Sequence, residues 1–225
     1  EACLIFDRQI LCWGEEKQNK LHNASIFIAG AGGLGCLMSE IMVRSGVGNI
    51  YLCDTGSVAE TDLNRQIFYT IDDIGKKKID VAEKRLTSIH GLTKIKVIDK
   101  DIRDKNFTLP NGISGIGDCL DNFESRFSLW DKLEPGCFYI HAGVEDFFGQ
   151  VISLIKGKSP ALPKIFANYN KTERTIPVNG GNVSVVSSIA STEVINNIFR
   201  EPKLLNRLLI IDLSDYTFSK VDIRD

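Results

Sequence analysis

The sequence has 225 residues, 43% hydrophobic and 25% charged, the composition of a globular protein with room for one large domain or two small ones. A net charge of −2 gives no reason to expect nucleic acid or an acidic membrane as partner, and no apolar run is long enough to span a bilayer. Six cysteines, Cys3, Cys12, Cys36, Cys53, Cys119 and Cys137, are irregularly spaced with no Cys-x-x-Cys pair, which predicts free thiols in a reducing cytosol and no tetrahedral zinc signature.

The N-terminus shows no charged-then-apolar signal pattern, and it begins at Glu1 rather than Met, which leaves room for sequence upstream. Residues 4–21 place apolar side chains at helical spacing, with a break at Gly14. Arg8 and Gln9 lie in this helix and, taken alone, are solvated polar positions. Residues 26–29 read as a short apolar strand that runs into Gly30, Gly32, Gly33 and Gly35, with a helix over 37–44 behind them. Strand, glycine turn and helix in that order make a phosphate site, because glycine lets a polyphosphate approach the backbone and the helix offers unpaired N–H groups. A second strand, 50–53, ends at Asp54, where such folds hold a ribose hydroxyl.

Further on, Asp62, Asn64, Arg65 and Gln66 crowd polar groups before an apolar pair. A helix capped by Asp72 or Asp73 follows, with Ile79, Ala82, Leu86 and Ile89 as its apolar stripe. Lys76, Lys77 and Lys78 near its start oppose the helix dipole, a small cost that wants a reason. Strands are expected over 94–99, weakly over 112–121, and over 137–144 and 148–157, with a helix over 122–133. The alternation predicts an α/β, Rossmann-like fold: a mostly parallel sheet, helices on both faces, and Asp54 and Asp121 at carboxyl ends of strands. Residues 158–182 lose periodicity and read as a long loop, residues 183–200 as a buried helix, and 208–213 with 217–223 as a closing antiparallel hairpin.

Taken together, the glycine turn, Asp54, the LNRQ stretch, Gly75 with Lys78, and CLDNFESR resemble the ThiF/MoeB/HesA superfamily, the ubiquitin-activating-enzyme-like adenylyltransferases of sulfur-carrier proteins. DRQIL near the N-terminus and HAGVEDFFGQV extend the resemblance to about residues 5–223. It implies a single adenylyltransferase domain over 1–225, with a nucleotide core over 25–145 and a carrier-binding extension over 146–225. The glycines would wrap the phosphates of ATP and Asp54 would hold the ribose. Asn64, Arg65 and Gln66 would contact the nucleotide, and Lys78 would neutralise it, which answers the cost of the lysine run. Asp121 would bind Mg²⁺, supported by Asn122 and Arg126. Arg8 would reach into the other subunit of a homodimer. The implied reaction is attack of a C-terminal carboxylate on the α-phosphate of ATP, the partner being a small ubiquitin-like carrier ending in Gly-Gly. Such a carboxylate is already ionised at neutral pH, so no general base is needed.

The chain departs from the family's pattern in places. PALPK stands at 160–164 where a first zinc-binding Cys-x-x-Cys would fall. No cysteine follows Cys137, which lies in a predicted strand, so neither structural zinc nor a thioester is expected. Asp62 replaces a usual Asn, and Gly56 stands where a second acid is common. Two other classes stay open: a nicotinamide-dependent oxidoreductase, which would use the glycines and Asp54 but not Arg65, Lys78 and Asp121, and a non-catalytic partner subunit.

Overall fold

A computed structural model describes residues 4–168 and 176–223. Among them one eight-stranded sheet forms the frame, in the order β3-β2-β1-β4-β5-β6-β7-β8. The strands β1 (Ser25–Ala29), β2 (Asn49–Cys53), β3 (Lys94–Ile98), β4 (Gly115–Asp118) and β5 (Phe138–Glu145) run parallel. The strands β6 (Phe148–Ile155), β7 (Arg207–Asp212) and β8 (Thr217–Asp222) continue the sheet antiparallel. The Rossmann-like sheet with an antiparallel C-terminal part is thus present.

Period-two alternation sorts β1 between two cores. Ile26 and Ile28 pack with Met38 of α2 (Gly33–Arg44), Leu86 of α3 (Lys78–His90) and Val186 of α6 (Gly180–Ile198). Phe27 and Ala29 pack on the other side, with Leu129 and Trp130 of α4 (Phe123–Lys132) and Leu162 of α5 (Leu162–Ile165). A strand covered on both faces loses polar alternation and reads as an apolar run. Each large side chain so buried contributes about 1.5–3 kcal/mol. The N-terminal helix α1 (Asp7–His22) breaks at Gly14, φ 81°, as the sequence predicts. The Gln9 amide and the Trp13 indole both donate to Gln18 Oε1, at 2.9 and 3.1 Å, and tie the two halves together.

Strands β2 and β3 lie to one side of β1, and β4 and β5 to the other. The winding direction reverses between β1 and β4, and their carboxyl ends open the crevice where such sheets bind ligands. Strand β4 stops at Asp118, while its neighbour β5 runs on to Glu145 and forms a wall beyond it.

Several boundaries differ from expectation. Helix α2 begins at Gly33 rather than residue 37, so Gly33 and Gly35 belong to its first turn. Helix α3 begins at Lys78, not after Asp72 or Asp73. Residues Ile71–Asp73 form a separate 3-10 turn, closed by the Thr70 N–H donating to Asp73 at 3.0 Å. Asp73 also pairs with Lys76 at 3.0 Å and Arg85 at 3.6 Å, so its carboxylate is spent before the helix starts. Only Lys78 of the three lysines is helical. Strand β4 keeps only the middle of its predicted span. The predicted 158–182 loop contains α5, and its end from Gly180 belongs to α6, capped by Asn179 accepting the Asn182 N–H at 2.9 Å. Residues 169–175 of that loop lie outside the described residues.

Candidate functional site

The glycine turn shows why each glycine is there. Gly30 sits at φ 96°, a backbone angle that disfavours a side chain. A Cβ on Gly35 would stand 1.8 Å from the Gly30 carbonyl oxygen, so Gly35 is the contact by which α2 packs onto the turn. Gly32 and Gly33 line a cleft of about 1070 Å³ at the carboxyl ends of β1 and β4, next to the first N–H groups of α2. Asp54, just past β2, also lines it. Its Oδ2 accepts the Ala31 N–H at 2.7 Å and its Oδ1 the Gly56 N–H at 2.6 Å. A carboxylate has about four lone-pair sites, so each oxygen keeps capacity for one more donor.

The segment after β2 supplies the cations. Arg65, Gln66 and Lys78 all line the cleft, and all three converge on Asp62. Lys78 Nζ lies 3.1 Å from Asp62 Oδ2, Gln66 Nε2 donates to Oδ1 at 2.7 Å, and Arg65 Nη2 lies 3.7 Å from Oδ1. The same carboxylate accepts the Ala59 N–H at 3.0 Å, which closes the 3-10 turn Glu60–Asp62. Asp62 is therefore the hub of this wall. The sequence marks it as one of a crowd of polar residues and as a departure from the family pattern, but not as a hub; its spacing before Arg65 and Gln66 was the available signal. Gln66 is buried, and its Oε1 has no hydrogen-bond partner among the described residues. Asn64 does not line the cleft. Its Oδ1 accepts from Arg65 Nη1 at 2.8 Å, which braces the guanidinium.

The loop after β4 supplies the acid. Asp121 and Asn122 line the cleft, and Asn122 does two jobs. Its Oδ1 accepts the Ser125 N–H at 2.8 Å and caps α4, while its Nδ2 donates to Asp121 Oδ1 at 3.0 Å and holds the carboxylate in place. Arg126 is buried and lines the cleft floor. Because β4 has ended, the Arg126 guanidinium takes the Ala142 carbonyl at 3.0 Å, bonds the Leu120 carbonyl, and faces Asp118 at 3.4 Å. Burial alone would push the Asp118 carboxyl up, but Arg126 and the hydrogen bond from His141 leave it below the ordinary 3.8. Burial and the Arg126 charge push His141 below the ordinary imidazole value of 6.5. The sequence shows Asp118 only as an acid near the end of the weak 112–121 strand and His141 only within HAGVEDFFGQV, and nothing in it pairs the two.

Besides Asn64, two expected residues lie away from the cleft. Gly35 is sealed beneath the turn. Arg8 is exposed on α1, and its guanidinium has no hydrogen-bond or ion-pair partner among the described residues. No helix is long and apolar enough to cross a membrane, and no three His, Cys, Asp or Glu side chains cluster to hold a metal, among the described residues.

A model described as the ThiF family matches residues 6–225. The chain belongs to the ThiF family. Among ThiF relatives, the sulfur carrier protein ThiS adenylyltransferase of Bacillus subtilis is 34% identical over 66% of this chain, a stretch that spans 46% of that protein. The HesA heterocyst protein of Trichormus variabilis is 28% identical over 96% of this chain and 83% of its own length. The sulfur carrier protein adenylyltransferase of Thermus thermophilus is 26% identical over 94% of this chain and 83% of its own length. The crystal structure of E. coli MccB with MccA-N7isoASN superposes with a TM-score of 0.84 at 21% identity, over 97% of this chain and 72% of that one. That likeness is one of fold.

Proposed function

We propose that this ThiF-family chain is an adenylyltransferase that uses ATP and Mg²⁺ to adenylylate the C-terminal carboxylate of a small ubiquitin-like sulfur-carrier protein ending in Gly-Gly. A carboxylate oxygen bonds to the α-phosphorus, the bond from that phosphorus to the bridging oxygen breaks, and pyrophosphate leaves. The observation that carries the reading is the convergence of Arg65 and Lys78 on one cleft with the glycine turn and Asp121. Nothing in a nicotinamide reaction requires that set. Little covalent work falls to the protein; it must orient two anions and offset charge building on phosphate oxygens. The unpartnered Gln66 Oε1 and the spare lone pairs of Asp54 fit a ligand rich in hydroxyl and amino donors. A carboxylate at the cleft plus substrate phosphates is the usual way Mg²⁺ is held, and Asp121, steadied by Asn122, supplies that carboxylate.

The part after residue 145 is the carrier-binding extension. Phe148 and Ile210, 52% and 38% exposed, extend the cleft wall with apolar surface that a protein tail would cover. Arg8, unpaired among the described residues, completes the site of the other subunit in a homodimer. The setting is the cytoplasm, whose reducing conditions suit the free thiols Cys12, Cys36, Cys53, Cys119 and Cys137.

The test is exchange of labelled pyrophosphate into ATP, dependent on a Gly-Gly-terminated ThiS carrier. Arg65→Ala and Asp121→Ala should each lower the rate about 100- to 1000-fold. Tight binding of NADH with no binding of ATP and Mg²⁺ would sink the reading. Arg8→Ala and Lys78→Ala homodimers should both be nearly inactive, and mixing them should restore one working site per mixed dimer. No recovery despite demonstrated subunit exchange would place Arg8 outside the neighbour's site.

A further inference from the structure

Asp118 of β4 is the register partner of His141 on β5, and Gly143 of β5 is the partner of Gln150 on β6. Alternate residues on a strand share a face, so these four positions lie on one side of the sheet. At Gly143 an added Cβ would stand 3.1 Å from Gln150 Nε2 and 3.2 Å from its Cγ. With only hydrogen there, the Gln150 side chain folds across β5 and brings its Nε2 within 3.0 Å of His141 Nε2.

Which atoms face each other is fixed by protons. His141 Nδ1 lies 2.9 Å from Asp118 Oδ2. An ionised carboxylate only accepts, so Nδ1 carries a proton. The charged groups that face the ring are Asp118 and Arg126, and Phe123 and Phe166 cover it at centroid distances of 5.9 and 4.9 Å. Burial and the arginine charge keep the ring neutral. Its second nitrogen is therefore a bare acceptor, and Gln150 must present its NH2 there. Gln150 Oε1 is then directed away from His141. It accepts no bond from the described residues, and the half-buried Gln150 side chain lines the cleft beside Ile210.

We propose that Asp118 and His141 act as positioning residues that lock the Gln150 carboxamide with its carbonyl oxygen facing the cleft, where it accepts a backbone N–H of the substrate's C-terminal tail. The proposal rests on the adenylyltransferase reading. A Gly-Gly tail offers no side chains to recognise, only peptide groups. An unlocked glutamine would offer donor or acceptor equally; a locked one selects a peptide N–H and fixes the tail's register.

Two measurements test this on the whole protein. Nitrogen NMR of the histidines, with His141 assigned by its loss in His141→Gln, should show a neutral ring at pH 7 with the proton on Nδ1. A proton on Nε2, or an imidazolium, would overturn the locking. The second uses the ThiS carrier and semisynthetic versions in which one C-terminal backbone amide at a time is replaced by an ester, which deletes its N–H. One ester should raise the carrier KM about 3- to 10-fold, the effect of one neutral hydrogen bond, with the ATP KM unchanged. Gln150→Leu should raise the KM of the all-amide carrier by a similar factor and abolish the ester's penalty. An ester penalty that persists in Gln150→Leu would overturn the contact. If the wild type binds no ATP, the adenylyltransferase reading fails instead, and the tautomer still decides whether Gln150 is locked.

Discussion

The pairing of Lys78 with Asp62 makes a prediction with two opposed signs. The two charges are 3.1 Å apart, and their side chains are only 14% and 10% exposed. At an effective dielectric near 20 their gross attraction is about 5 kcal/mol. Desolvation returns much of that. Breaking a fully buried pair from one side costs about 3–5 kcal/mol, and partial exposure together with the remaining Asp62 partners should bring the cost of Lys78→Met to about 1–3 kcal/mol. Those partners are Arg65 at 3.7 Å and the donors of Gln66 and Ala59. Asp62→Asn keeps the shape and removes the charge, so the double variant should be less destabilised than the sum of the singles by at least about 1 kcal/mol. Urea unfolding of the four proteins measures this. ATP affinity should move the opposite way in the two singles. Asp62→Asn removes a negative charge from the cleft and should tighten binding, while Lys78→Met should weaken it, each by about tenfold, or about 1.4 kcal/mol. A stability coupling below about 0.5 kcal/mol, or weaker ATP binding in Asp62→Asn, would refute the reasoning.

Three further outcomes follow from other parts of the molecule. Gly35→Ala should destabilise by at least about 1–3 kcal/mol, because its Cβ meets backbone rather than a yielding side chain; an unchanged thermal midpoint would contradict the packing. Stability should fall as pH drops below 6.5, where the unfolded chain protonates His141 and the folded chain, with its lowered value, does not. The slope from this group approaches about 1.4 kcal/mol per pH unit, and Asp118, also lowered, adds to the loss below 3.8. His141→Gln should flatten the upper part of that profile, and an identical profile in the variant would argue against a neutral buried ring. Burial pushes the Cys36 and Cys53 thiols up to about 12 and Cys119 well above its usual value, so iodoacetamide at pH 8 should label exposed Cys12 far ahead of these three. Comparable labelling of Cys36 in the native protein would show that the core opens.

Much of the fold was legible because its signals are local. The apolar run of β1, the glycines and Asp54 each declare themselves within a few residues. The family pattern also pointed to Arg65 and Lys78, which line the cleft. What stayed hidden depends on partners distant in sequence. Asp62 means little until Lys78 is brought to it. His141 and Gln150 look like ordinary strand residues until a register places Gly143 between them. The misplaced start of α3 has the same origin: Asp73 has the chemistry of a helix cap, but Thr70, Lys76 and Arg85 claim its carboxylate first. The early start of α2 was missed because glycine lowers helix propensity, whereas tight packing against Gly30 demands it there.

The strand order also sets a timetable for biosynthesis. Strand β1 finds one neighbour in β2 soon after it is made, but its other neighbour, β4, begins only at Gly115. A nascent chain stopped short of that point has no Cys119 carbonyl against which the Gly30 turn closes, and no Arg126 or Asp121. Distant pairings of this kind are slow to form, since the intervening chain must close a long loop before any contact repays it. ATP therefore cannot act as a template for the first half of the protein while it is still being translated. Its affinity should switch on abruptly once the segment through α4 has left the ribosome, which makes nucleotide retention by stalled chains a clock for when the central sheet assembles.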